Sequence, residues 1–297
     1  MYHPDEPSKV EQVMTGTRNL RHPVLMLTVA DGAVGWLGVR EDGQAVAETG
    51  RWLSGGAMAV AVGCLGAVVT LVAGWVPGLV AGGLALGRPW FFEASQMFKE
   101  DAWHLATLGL VTLMAVMWSR RPGAERSRSW AGAFGCVLGL AVGARYYAAI
   151  PALLLVGWVA WRGGRWWAGM GWTLAGCLGV FGALHGPWLG EMGRGWAEIG
   201  REVDYFARGH FGVGETVPHP LYWKRLEAML GPMEWGLIGL GVLGWGLRRR
   251  WEVLAVGVGV WLYLEAISWS PKFSDRYFLP VEWFWAVGLG VGLGMLG

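Results

Sequence analysis

Three groups of polar side chains interrupt an otherwise apolar chain: Asp5 with Glu6, Glu100 and Asp101 with His104, and Lys272 with Asp275, Arg276 and Tyr277. A carboxylate can accept a proton, and a guanidinium fork matches the oxygens of a phosphate. Asp5 and Glu6 lie between Pro4 and Pro7. Two adjacent carboxylates cannot sit in lipid unpaired, and the prolines favour an extended, water-facing loop over a helix. His104 stands one helical turn after Asp101 and shares its face. A divalent metal could sit between these two, although two ligands make no recognised set. Read singly, each group is equally well a solvated flank or a snorkelling anchor at a helix end.

The elements that must position these groups are membrane helices. Of 297 residues 54% are hydrophobic and 15% charged, where a soluble chain carries about a quarter charged residues. The 22 tryptophans and 50 glycines fit an all-α polytopic bundle, because helices in lipid pack through small residues. Apolar runs predict about nine spans, near 52–73, 77–90, 102–118, 129–144, 147–161, 167–185, 233–247, 251–268 and 279–296. The run 24–38, interrupted by Asp31, is expected to lie in the interface with Asp31 toward water. Residues 1–51 then form an outer-face acidic loop with an interfacial helix, and 52–297 form the bundle, with an outer loop at about 186–232. Arginines 120, 121, 126, 128, 162, 165, 248, 249 and 250 put three connections in the cytoplasm. The acidic clusters therefore gather on the opposite, outer face. Cys64, Cys136 and Cys177 all fall in apolar runs and read as small buried hydrophobes. The basic residues do not interleave with aromatics as in a nucleic-acid surface, so no nucleic-acid partner is expected.

Within the spans Arg145 is deeper than an anchor needs to be, which favours a paired or ligand-contacting role. Gly209-His210-Phe211-Gly212-Val213-Gly214 reads as a loop in which His210 could touch a substrate. It is no phosphate-binding fingerprint, lacking the required lysine or triple-glycine spacing.

In order, the chain shows His3-Pro4-Asp5-Glu6-Pro7, then Arg21-His22-Pro23-Val24-Leu25, Arg51-Trp52-Leu53-Ser54 opening a span, and Lys99-Glu100-Asp101-Ala102 opening another. Gly139-Leu140-Ala141-Val142-Gly143-Ala144-Arg145 and Asp275-Arg276-Tyr277-Phe278-Leu279-Pro280 follow. This order resembles the GT-C membrane glycosyltransferases of the protein O-mannosyltransferase and aminoarabinose transferase type. That family begins with a membrane helix before its acidic loop, so the expectation is that the start lies upstream of Met1 or that the chain is a fragment.

The resemblance implies inverting transfer of a sugar from a polyprenyl-phosphate sugar to a lipid, glycan or protein hydroxyl, on the outer face of the plasma membrane. Such a displacement needs a carboxylate to take the acceptor's proton and positive charge to stabilise the departing phosphate. Asp5 is then the expected base and Asp101 a second catalytic acid. Glu6 leads into Ser8-Lys9-Val10-Glu11, a plausible first helical turn, and reads as a helix N-terminal acid or an orienter of the base. Glu100, His104 and His210 would orient the carboxylates or meet the acceptor, and Arg276, Lys272 and Arg145 would hold the donor phosphate. No cofactor is required, with a divalent metal left open. A transporter is the alternative class, because many spans with intramembrane charges also describe carriers. A truncated, non-catalytic homologue is the third.

Overall fold

The computed structural model describes residues 5–18, 20, 24–120, 128–145, 166–191, 193, 195–198, 200–201, 204, 224, 227–228, 230–247, 258, 261–265 and 278–296. They are helical, with no strand among the described residues. The expected spans 147–161 and most of 251–268 lie outside them, as do His210, Lys272 and Arg276.

Helix α1 runs Glu6–Thr15 and stops at Gly16, which takes the left-handed conformation at φ 69°. The extended loop expected around Asp5 and Glu6 thus gives way to helix at Glu6, where the first turn expected over Ser8–Glu11 is found. Pro7 permits this because a proline ring in the first turn removes no intrahelical hydrogen bond. Helix α2, Leu25–Leu37, is about 20 Å long, short of the roughly 30 Å hydrocarbon layer, so it does not cross alone. Its Met26, Leu27, Ala30 and Val34 pack against Val13, Val46 and Phe98. Asp31 was expected to face water. Its side chain is 31% exposed and also meets Arg18 at 3.1 Å and Arg40 at 2.5 Å.

Helix α3 spans Gly43–Ala73, starting where the Asp42 carboxylate accepts the N–H groups of Gln44 and Ala45. The expected span began at 52, so the cap lengthens the helix and draws Arg51 into it; the expected division at residue 51 falls inside α3. Gly74, at φ 106°, ends it and opens α4, Trp75–Leu86. The single span expected over 77–90 is two helices. Gly87 stops α4, and Arg88 is extended ahead of Pro89, where a short α5, Pro89–Gln96, begins, as steric conflict with the proline ring demands. There follow α6 (Glu100–Arg120), α7 (Arg128–Ala144), α8 (Trp166–His185), a 3-10 turn over Gly186–Glu191, α9 (Pro232–Leu247) and α10 (Leu279–Leu296). Among the described residues α3, α6 and α10 are long and apolar enough to cross a membrane.

Helix α3 is the central post, touching α1, α2, α4, α5, α6 and α10. Trp283 of α10 donates its indole N–H to the Ala61 carbonyl at 2.8 Å. Trp52 and Trp75 are 82% and 67% exposed. From Trp52 to Ala73 helix α3 rises about 32 Å, close to the thickness of the hydrocarbon layer, and Trp75 opens the next helix.

Helices α7 and α8 touch backbone to backbone. A Cβ on Gly135 would strike the Thr173 carbonyl, and one on Gly176 would strike that of Gly132. Cys136, on this pair, is exposed rather than buried as expected, since the glycines take the contact face. Gly135→Val should therefore cost about 1 to 3 kcal/mol or more through overpacking. Gly179→Val, where nothing lies within 4 Å, should be nearly neutral. Thermal unfolding in detergent checks both, and equal midpoints would show that the two helices do not pack this way.

Candidate functional site

At the end of α3 marked by Arg51, the start of α1, the 97–99 turn, the start of α6 and the end of α7 converge. Glu6 is 1% exposed and is held on three sides. Arg51 donates from Nε at 3.0 Å and from Nη2 at 2.7 Å, and the Phe98 N–H donates at 2.9 Å. The Phe98 ring lies against Gly50, where a Cβ would occupy its place. This clamp ties the 97–99 turn to both α1 and α3.

One residue to either side of that clamp, Lys99 Nζ meets Asp5 Oδ2 at 2.9 Å. The two ends of this pair differ: the Lys99 side chain is 5% exposed and that of Asp5 51%. Asp5 precedes α1, but its carboxylate makes no capping bond; it is turned to Lys99 instead. Deeper in, Lys9 of α1 reaches Glu100 Oε1 at 3.4 Å, with both side chains 5% exposed. Arg145, just past α7, holds Asp101 Oδ1 at 2.5 Å and approaches Glu100 at 3.9 Å. His104 is buried one turn further along α6. The site is thus an alternation of Asp5, Glu6, Glu100 and Asp101 with Lys99, Arg51, Lys9 and Arg145. Among the described residues these four acids face four cations, and pairing of this kind is how ionised groups survive burial near lipid.

The structure brings together Asp5, Glu6, Glu100, Asp101, His104 and Arg145 from three separated stretches of sequence. Lys9, Lys99 and Arg51 were not among the expected site residues. Their signal was available: Glu6, Lys9 and Val13 fall at helical spacing and form the buried face of α1, so that helix turns charge inward. No group of three or more potential metal ligands occurs among the described residues. Asp101 and His104 lie one turn apart on α6, and Asp101 is engaged by Arg145.

Beside the site, Arg18 braces the link between α1 and α2. It donates to the carbonyls of Gln12 at 2.9 Å and Thr17 at 2.7 Å and to Asp31, and stands 5.4 Å from the Trp188 ring. Burial pulls this guanidinium below its ordinary value, and Asp31 opposes that shift; an arginine stays charged regardless.

Glu6→Gln tests the clamp. Glutamine keeps the volume but offers Arg51 one neutral carbonyl oxygen in place of a bidentate carboxylate, for an expected loss of about 1.5 to 3 kcal/mol. Arg51→Lys should be milder yet below the parent, since an ammonium cannot reproduce the fork. Parental unfolding midpoints in detergent for both variants would remove the clamp.

No family model matches the chain, and no curated protein matches it. Two solved structures do. ArnT from Cupriavidus metallidurans bound to undecaprenyl phosphate superposes with a TM-score of 0.68 at 16% identity, covering 99% of this chain and 56% of that one. The same protein in its apo state gives 0.66 at 18% identity, covering 99% and 55%. The chain thus spans about half the length of the structures it matches. At this identity the likeness carries the architecture, and with its apolar helices it makes this chain an integral membrane protein of the all-helical GT-C fold.

Proposed function

We propose that the chain provides the transfer site of a membrane glycosyltransferase that moves a sugar from a polyprenyl-phosphate sugar to a hydroxyl acceptor at the outer face. The observation that carries this reading is the convergence of Asp5 and Asp101, 96 residues apart in sequence, on one ion-paired cluster within a fold shared with a protein solved with undecaprenyl phosphate.

In this reading the acceptor oxygen attacks the anomeric carbon as the bond from that carbon to the donor phosphate oxygen breaks. The electron pair leaves with the phosphate. The acceptor's proton passes to Asp5, the half-exposed carboxylate, and the configuration inverts. Buried cations at the site, Lys99 and Arg145, with Arg276 and Lys272 from beyond the described residues, would offset the charge that develops on the phosphate. Asp101, fixed by Arg145, would set the acceptor's approach, with Glu100 and His104 behind it; His210 would meet the acceptor from its loop.

The test is direct. The whole protein in detergent, given a polyprenyl-phosphate sugar labelled in the sugar, should release free polyprenyl phosphate and move label to a hydroxyl acceptor or to water. Protein that neither binds nor cleaves the donor, yet moves labelled solute across proteoliposomes, would replace this reading with a carrier.

A further inference from the structure

The four acids of the site are unequal. Glu6, Glu100 and Asp101 are 1%, 5% and 9% exposed, whereas Asp5 is 51% exposed. Lys99, its partner, is nearly buried and projects from a turn whose backbone is pinned by the Glu6 carboxylate and by the Phe98 ring on Gly50. An ammonium held against a carboxylate opposes proton transfer to it. In the resting site the candidate base is therefore covered by a cation.

We propose that Lys99 is a latch on Asp5 that responds to donor phosphate: the arriving phosphate draws the Lys99 ammonium to itself and uncovers the carboxylate for the acceptor's proton. The inference rests on the glycosyl-transfer reading and adds to it a residue, a role and an order of events.

The choice of Lys99 over the other cations follows from what each would leave behind. Moving Arg51, Lys9 or Arg145 toward a phosphate strips a cation from a buried acid, which is strongly unfavourable. Moving Lys99 strips it from an acid that water already reaches. Lysine suits the movement: its flexible stem lets three donors turn while the Cα stays fixed. Lys99 is a positioning residue here for the base and a contact for the phosphate. Without donor the base stays covered, so the acceptor is not deprotonated before there is a sugar to receive it.

Binding of undecaprenyl phosphate to the whole protein in detergent tests the latch, because it needs no turnover. Asp5→Asn should tighten binding about threefold to tenfold, since the phosphate no longer competes with a part-exposed carboxylate for the ammonium. Lys99→Gln should weaken it about tenfold or more through loss of a charge-assisted contact. The decisive variant is the double one: in the Lys99→Gln background, Asp5→Asn should give no gain. A gain of equal size in both backgrounds would mean simple repulsion between Asp5 and the phosphate, and would overturn the latch. So would Lys99→Gln binding like the parent. If Lys99→Gln does not fold, Lys99→Arg takes its place, and the Asp5→Asn gain must then persist, its loss overturning the proposal. Inorganic phosphate run in parallel separates the sources: the same pattern there keeps the latch and assigns it to any phosphate anion, and a response to the lipid alone ties it to the donor. A parent that binds neither, while stably folded, would bring down the glycosyl-transfer reading together with the latch, whereas a parent that binds normally with a failed double variant removes the latch alone.

Discussion

Asp5→Asn should lower sugar transfer by about 10²- to 10⁴-fold, the range in which a general base contributes. The variant keeps the side chain's size and an oxygen for Lys99, 2.9 Å away, but it cannot take a proton. Stability should change little, because Asp5 is half exposed and makes no capping bond, and part-exposed pairs contribute about 0 to 1 kcal/mol. The expected signature is thus a collapse of kcat on a protein that unfolds at the parental temperature and binds undecaprenyl phosphate at least as well. Asp101→Asn separates the two carboxylates. It breaks the Arg145 pair and should lower stability as well as rate. If Asp5→Asn transfers at the parental rate while Asp101→Asn is inactive but folded, Asp101 is the base. If both transfer normally, the assignment to glycosyl transfer fails.

How far the site could be read beforehand depended on the range of the forces involved. The acids themselves were legible because carboxylates in an apolar chain are anomalous wherever they occur. Arg145 was legible for the same reason, and its pairing with Asp101 answers the expectation that so deep a cation meets a partner. Lys99 escaped because a lysine just ahead of an apolar run has a sufficient local explanation as an anchor, and Lys9 because in the polar stretch Ser8-Lys9-Val10-Glu11-Gln12 a lysine reads as solvated. Only the tertiary placement of α1 against α3 and α6 turns them inward. Helix ends show the same division. The cap at Asp42 and the breaks at Gly74 and Gly87–Arg88–Pro89 are local chemistry, yet the hydropathy window that locates spans averages over them. It therefore began α3 nine residues late and fused α4 with the start of α5. The close approach of α7 to α8 was illegible for another reason: glycine is frequent throughout this chain, and only the facing backbone reveals that Gly135 and Gly176 are contact positions while Gly179 is not.

Arg145→Leu should be the most destabilising single change at the site. The guanidinium is 8% exposed, holds Asp101 at 2.5 Å and approaches Glu100 at 3.9 Å. Removing it leaves Asp101 without this partner and lowers the cation count around Glu100, which keeps Lys9 at 3.4 Å. Breaking a buried pair from one side costs about 3 to 5 kcal/mol, more than the pair itself contributes, because the remaining charge stays buried. That asymmetry yields a sharper expectation than the single variant. Adding Asp101→Asn to Arg145→Leu should recover part of the loss, since an amide tolerates burial better than a stranded carboxylate. The coupling between the two positions, read from unfolding midpoints of the four proteins in detergent, should therefore be large and compensatory. Additive losses would mean that water reaches Asp101 and that the charges at this end of α6 are solvated one by one. In that case burial would no longer set Asp101 apart from the half-exposed Asp5, and Lys99 would no longer be the cation most readily given up to a phosphate.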